Sequence, residues 1–187
     1  MLTLGQPALA VLPRDPGPRF SRLNPHQKNV LKTWIAAILW LIVIALESSS
    51  LGASTNTSRI LFPILHYLFG ITPESFEPIH FFIRKSGHVF GYGLLSILLF
   101  RAWRESLPAI GNPRWTLRWA NISVLGTLLV ASLDEWHQSF NPLRTGTPKD
   151  VALDTCAGIV AQILVFLFIR MFLNRHRPLK QPVQPSA

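Results

Sequence analysis

The chain has 187 residues, of which 49% are hydrophobic and 14% charged, and its mean hydropathy is +0.30. Because an average soluble domain carries about 25% charged residues, this composition argues against an ordinary soluble protein. The single cysteine excludes an intramolecular disulfide framework and a multi-cysteine zinc site. The class of the protein therefore depends on where the apolar and basic residues lie along the chain.

Both ends of the chain are rich in proline and basic residues. Residues 1–32 contain five prolines and five Lys or Arg residues, and residues 174–187 contain three of each. Segments of this composition bury little surface and are typically flexible. We expect two flexible basic tails around one domain, residues 33–173.

Four apolar segments of that domain are long enough to cross a membrane, which takes about 20 helical residues. They are residues 33–51, 81–103, 117–136 and 151–173. A fifth apolar stretch, residues 60–71, is shorter and is interrupted by Pro63 and His66, so we predict an interfacial or re-entrant helix there. The predicted fold class is all-α: a multi-pass membrane helical bundle with four transmembrane helices plus this short helix.

The basic residues divide unevenly between the two sides of such a bundle. The side that holds both termini carries 13 of the 18 Lys and Arg residues, and the opposite side carries seven of the nine acidic residues. Because cytoplasmic loops of membrane proteins are enriched in Lys and Arg, both termini are predicted to be cytoplasmic, with residues 52–80 and 139–149 outside. No basic soluble face with aromatic platforms is visible, so we expect no nucleic-acid partner.

Polar residues recur along one stripe of the second predicted span, at a helical rotation of about 100° per residue. These residues are Lys85, His88, Tyr92 and Ser96. Gly87 and Gly91 fall on roughly the opposite side, and their small-xxx-small spacing favours close packing of another helix. We therefore expect His88 and Tyr92 to face the third and fourth predicted spans, and the glycine pair to meet a different neighbour.

The third predicted span ends in the acidic and polar residues Asp134, Glu135 and Gln138. Glu135 and Gln138 share a face of the helix, and Asp134 lies beside Gln138. His137 lies about 200° from Glu135, so these two residues cannot bind one metal ion within a helix. The acidic and amide side chains are predicted to form part of a polar site at this helix end.

The fourth predicted span begins with Asp150 and Asp154, with Asp154 about 6 Å deeper along the helix. Charges of both signs balance at the ends of the last three spans: Arg84, Lys85, Arg144 and Lys149 against Asp134, Glu135, Asp150 and Asp154. An ionisable group inside a membrane span is a functional hypothesis by default. The alternative is a structural network of ion pairs that only pins the helix ends.

Three sequence blocks resemble the motifs of the VanZ-like membrane protein family. The blocks are Lys85-Ser-Gly-His88-Val-Phe-Gly-Tyr92, the segment from Asp134 to Arg144, and the segment from Asp150 to Gly158. The resemblance covers roughly residues 34–173, and its most specific part is the pattern E-x-x-Q-x-F-x-P-x-R. Where the family usually has an asparagine, this chain has Asp154.

The resemblance implies a small bacterial envelope protein in the cytoplasmic (inner) membrane. The founding member of the family is associated with low-level resistance to the glycopeptide antibiotic teicoplanin. An effect on glycopeptide susceptibility is thus implied for this chain. Our first hypothesis is that its outer-face polar site engages an anionic lipid head group or a lipid-linked cell-wall precursor. We expect the following binding residues: Lys85, Tyr92, Gln138 and Arg144. Candidates for hydrogen bonding, proton transfer or catalysis are His88, Glu135, Asp150 and Asp154.

Two other functional classes stay open. One is a membrane-embedded hydrolase or transferase with Glu135 or His88 as general base, although the sequence identifies no nucleophile and whether the chain is an enzyme is left undecided. The other is a non-catalytic scaffold or accessory subunit, in a homo-oligomer or with another envelope protein. Carboxylates and His88 suit a divalent metal, but the nearby basic residues compete with it, so we expect no metal and no cofactor.

Overall fold

The structure, a computed structural model, describes residues 23–107, 109–111, 113–142 and 146–173. Its five α-helices are α1 Pro25–Ser48, α2 Ser54–Phe69, α3 Pro73–Ser106, α4 Leu117–Ser139 and α5 Pro148–Phe168. A 3-10 turn, Ser50–Gly52, precedes α2, and a π-helical turn, Ile169–Leu173, continues α5. The described residues contain no strand, which confirms the all-α class.

Local sequence signals determine where the helices begin and end. The Asn24 side chain accepts a hydrogen bond from the Gln27 N–H at 2.7 Å, and the Gln27 side chain accepts one from the Asn24 N–H at 3.0 Å, which forms a capping box at the start of α1. The hydroxyls of Thr116 and Thr147 cap α4 and α5. Gly70 ends α2 with φ +66°, a left-handed conformation that favours glycine.

All the predicted helical segments are helices, but α1, α2 and α3 begin earlier than predicted, and α1 begins at Pro25, inside the predicted N-terminal tail. The helix α3 begins at Pro73 rather than residue 81, and α2 covers Ser54–Phe69 rather than residues 60–71. Of the described helices, α1 and α5 are long and apolar enough to cross a membrane by length and composition. The prediction of four spanning helices is therefore supported for two of them.

The long helix α3 is the centre of the bundle. It packs against α1, α4 and α5, and α4 packs in turn against α5. The helix α2 contacts α3 and has no buried residue. This arrangement places the beginning of α3, the end of α4 and the beginning of α5 together at one end of the bundle, which we call the charged end.

Close helix packing occurs at different glycines from those predicted. A Cβ atom at Gly87 or Gly91 would meet no other atom within 4 Å, so the expected close packing at this pair is wrong. A Cβ at Gly158 would instead lie 3.0 Å from the Thr127 side chain, and one at Gly126 would lie 3.1 Å from Leu99. The helical glycines that are most tightly packed against a neighbouring helix therefore lie on α4 and α5.

Candidate functional site

One face of α3 contacts both α4 and α5 at the charged end. Three contacts form there: Lys85 Nζ pairs with Asp150 Oδ1, His88 Nδ1 lies 3.2 Å from Asp154 Oδ2, and the Tyr92 hydroxyl donates to Asp134 Oδ2 at 2.7 Å. The α3 residues are spaced by three and four positions, which places them on one helical stripe. The prediction that His88 and Tyr92 face the last two predicted spans is confirmed.

One carboxylate oxygen of Asp134 accepts two hydrogen bonds inside the bundle. Its Oδ2 atom accepts hydrogen bonds from the Tyr92 hydroxyl and from Gln138 Nε2, the latter at 3.1 Å. All three side chains are buried. The two predicted binding residues Tyr92 and Gln138 thus orient a buried carboxylate.

Glu135 is buried, and only one of its carboxylate oxygens has a hydrogen-bond partner among the described residues. Its side chain is 5% exposed, and Oε2 accepts the Thr147 backbone N–H at 2.7 Å. Its other oxygen, Oε1, is buried and has no hydrogen-bond partner among the described residues. The Thr147 N–H reaches Glu135 because Gly146 lies against α4: a Cβ there would be 2.2 Å from the Glu135 carbonyl oxygen.

Asp154, on α5, resembles Glu135 in its burial and in its hydrogen bonding. The residue is 0% exposed, its Oδ2 contacts His88, and its Oδ1 has no partner among the described residues. One ligand atom each from His88, Glu135 and Asp154 lies within 4.8 Å of the other two. This His–Glu–Asp cluster is compact enough to hold one cation or to share protons.

A cavity of about 390 Å³ adjoins the cluster between the ends of α1, α2, α3 and α4. Its polar wall includes Arg84, His88, Tyr92, Asp134 and Gln138. Its apolar wall is formed by isoleucine and leucine side chains: Ile44, Ile60, Leu61 and Ile83. The cavity therefore offers polar and apolar surfaces side by side.

Sequence reasoning did not single out Arg84 and His80 as site residues. Both line the cavity, and His80 Nε2 lies 2.9 Å from Thr57 Oγ1. Burial lowers the pKa of the His80 imidazole, and the nearby Arg84 lowers it further. The signal was present as the i, i+4, i+8 spacing of positions 80, 84 and 88.

The other two predicted binding residues are Lys85 and Arg144. The Lys85 ammonium is paired with Asp150, and Arg144 lies outside the described residues. His137 points away from Glu135, as predicted, and its Nδ1 lies 3.2 Å from Ser48 Oγ on α1. The binding and catalytic roles assigned from the sequence stay predictions.

The sequence profile of the VanZ/LLP1 family matches residues 33–170. The chain belongs to the VanZ/LLP1 family. This membership confirms the resemblance inferred from the three motif blocks, and the matched range contains the whole charged end. Comparison with curated proteins and with solved structures gave no significant match. Membership in the VanZ/LLP1 family and the two apolar helices are consistent with a membrane protein of the cell envelope.

Proposed function

We propose that this VanZ/LLP1 protein binds the phosphate-bearing head group of an anionic lipid or of a lipid-linked cell-wall precursor in the cavity at its charged end. The charged end faces the outside of the cytoplasmic membrane in this proposal. Binding there changes how the envelope responds to cell-wall antibiotics, including glycopeptides.

The observation that carries the proposal is the composition of the cavity walls. A lipid presents a charged head group next to apolar chains, and the cavity presents Arg84 and two histidines next to isoleucine and leucine side chains. Its volume of about 390 Å³ is within the range of small-molecule sites, about 300–1,000 Å³. An amphiphile fits such a lining better than a wholly polar solute does.

Arg84 is the cation best placed to bind the phosphate. Lys85 is paired with Asp150, whereas Arg84 forms no hydrogen bond or ion pair among the described residues. A guanidinium group can donate two parallel hydrogen bonds to a phosphate. Arg144, from the same motif block as Glu135, is a second candidate cation for this anion.

The proposal is tested by lipid binding to the full chain in nanodiscs of neutral lipid. Native mass spectrometry would compare retention of phosphatidylglycerol, of a polyprenyl diphosphate and of a zwitterionic lipid. We expect selective retention of an anionic species, reduced about tenfold or more in Arg84→Gln. The matched control is Arg59→Gln, which removes an exposed arginine on α2 that does not line the cavity. Equal retention by both variants would contradict the proposal.

The same experiment separates the two lipid sources. Preference for phosphatidylglycerol indicates a lipid head-group site, and preference for the polyprenyl diphosphate indicates a cell-wall precursor site. An envelope assay then compares antibiotic susceptibility in cells that carry the parental chain, Arg84→Gln or Glu135→Gln at matched expression. If Glu135→Gln instead reduces expression while lipid retention is unchanged in Arg84→Gln, the scaffold function is the correct one.

A further inference from the structure

We infer that His88, Glu135 and Asp154 form a binding site for a divalent transition-metal or zinc ion. This inference goes beyond the lipid site and does not depend on it, because it rests on the buried cluster rather than on the cavity walls. It also revises the expectation, drawn from the sequence, that no metal binds.

The geometry of the three side chains matches the size of one cation. Their ligand atoms lie within 4.8 Å of one another. Bonds from Zn²⁺ to imidazole nitrogen and carboxylate oxygen measure about 2.0–2.2 Å, so two ligands on one ion are separated by roughly 3.3–4.4 Å. Side-chain movements of less than about 1 Å would bring all three atoms into one coordination sphere.

Two carboxylate oxygens without hydrogen-bond partners among the described residues support a bound ligand in the cluster. Glu135 Oε1 and Asp154 Oδ1 are both buried and have no hydrogen-bond partner among the described residues. A buried polar atom without a partner is costly, so native structures satisfy nearly all of them. Two such carboxylates in one cluster with a histidine are an arrangement that a bound cation explains.

The charges explain why the nearby bases do not exclude a metal. The Lys85 ammonium pairs with Asp150, and Asp134 receives hydrogen bonds from Tyr92 and Gln138. Among the described residues, no Lys or Arg forms an ion pair with Glu135 or Asp154. A divalent cation would neutralise both of these carboxylates, which cannot stay charged and buried without compensation.

The ligand types select the class of metal. One imidazole nitrogen and two carboxylate oxygens suit Zn²⁺, Mn²⁺ or Fe²⁺ better than Ca²⁺ or Mg²⁺, which prefer oxygen ligands alone. Three protein ligands leave a coordination position open for water or an anion. The Thr147 N–H that holds Glu135 Oε2 provides the kind of outer hydrogen bond that orients metal ligands.

The test is Zn²⁺ binding to the full-length chain in detergent, after treatment with a chelator. Equilibrium dialysis against buffered free Zn²⁺ and elemental analysis give the stoichiometry and affinity. We expect one ion per chain, with affinity lowered about tenfold or more in Glu135→Gln and in Asp154→Asn. The matched control is Glu77→Gln, which removes an exposed carboxylate outside the cluster from the same helix as His88; the Zn²⁺ affinity of this variant should change by less than about threefold.

Two measurements do not require the carboxylate variants to fold. Zn²⁺ should raise the melting temperature of the parental chain, because a ligand that binds only the folded state stabilises it. Cu²⁺ bound to the parental chain should show hyperfine coupling to one imidazole nitrogen, which His88→Gln removes.

Three results would overturn the inference. The first is the absence of stoichiometric binding at micromolar free Zn²⁺. The second is an equal loss of affinity in Glu77→Gln, which would indicate diffuse binding by acidic groups. The third is an infrared band of protonated carboxyl groups in the chelator-treated chain that does not change when Zn²⁺ is added. If this band disappears in Glu135→Gln or Asp154→Asn, protons rather than a metal ion neutralise the buried acids.

Discussion

The two ends of the bundle differ in the kind of polar group that they bury. At the end opposite the charged end, which we call the tryptophan end, the Trp34 indole N–H donates to Ser106 Oγ and the Trp119 indole N–H donates to the Leu107 carbonyl, both at 2.8 Å. Trp115 Nε1 and, on the same side of the bundle, Gln162 Oε1 are exceptions, without a partner among the described residues. At the charged end, two buried carboxylates each keep one unpartnered oxygen.

This difference separates structural from functional roles. Satisfied indole groups packed against aromatic neighbours, such as the Trp34–Trp103 pair with ring centroids 5.1 Å apart, fasten helices together. Unsatisfied buried acids cost stability, and such groups call for a ligand, an ion or a functional role. The comparison predicts that changes at the tryptophan end alter stability, whereas changes at the charged end alter binding.

The largest expected effect is the all-or-none accessibility of the two ends in intact cells. In a Cys156→Ser background, a membrane-impermeant thiol reagent should label Lys149→Cys at the charged end but not Ile110→Cys near the tryptophan end, because the basic residues concentrate on the latter side. Both positions are exposed, and Cys156 is also exposed and must be removed. Labelling of Ile110→Cys alone would reverse the proposed orientation.

A second prediction concerns Trp119, which is 2% exposed and contacts Phe100. Trp119→Ala should destabilise the chain by about 3 kcal/mol, near the low end for such truncations because lipid already solvates apolar groups. Unfolding in detergent measures the change. The control Trp136→Ala removes an indole that is 64% exposed at the charged end and should cost less than about 1 kcal/mol. Comparable costs would show that the tryptophan end is not the structural anchor.

A smaller effect is expected at Gly146, where an added Cβ would collide with the Glu135 carbonyl oxygen. Gly146→Ala should displace the Thr147 N–H from Glu135 and cost about 2 kcal/mol of stability, and it should weaken Zn²⁺ binding. Gly87→Ala is the control, since its Cβ has open space in a helix and should be neutral or stabilising by up to about 1 kcal/mol. Unfolding and Zn²⁺ affinity are measured together; an unchanged Zn²⁺ affinity in Gly146→Ala would show that Thr147 does not orient a metal ligand.

Helical periodicity was enough to predict much of the charged end. The spacing of Lys85, His88 and Tyr92 placed them on one stripe, and the structure confirms that this stripe faces α4 and α5. The same reasoning failed at Gly87 and Gly91, because many helix faces carry small residues and only packing selects the one that a neighbour approaches. The sequence placed Arg84 among the balanced charges but did not identify it as a binding residue, because the role of Arg84 depends on a cavity formed by residues from four helices.

The sequence by itself determined the helices, their approximate limits, the family and the face of α3 that carries the polar residues. These properties depend on local spacing, capping and composition, which operate within a few residues of one another. Only the tertiary structure decided which side chain each acid contacts: Asp150 contacts Lys85, Asp154 contacts His88, and Asp134 contacts Tyr92 and Gln138. Pairing depends on the relative depth and rotation of separate helices, which long-range packing determines. That packing left Glu135 and Asp154 together without a Lys or Arg partner among the described residues.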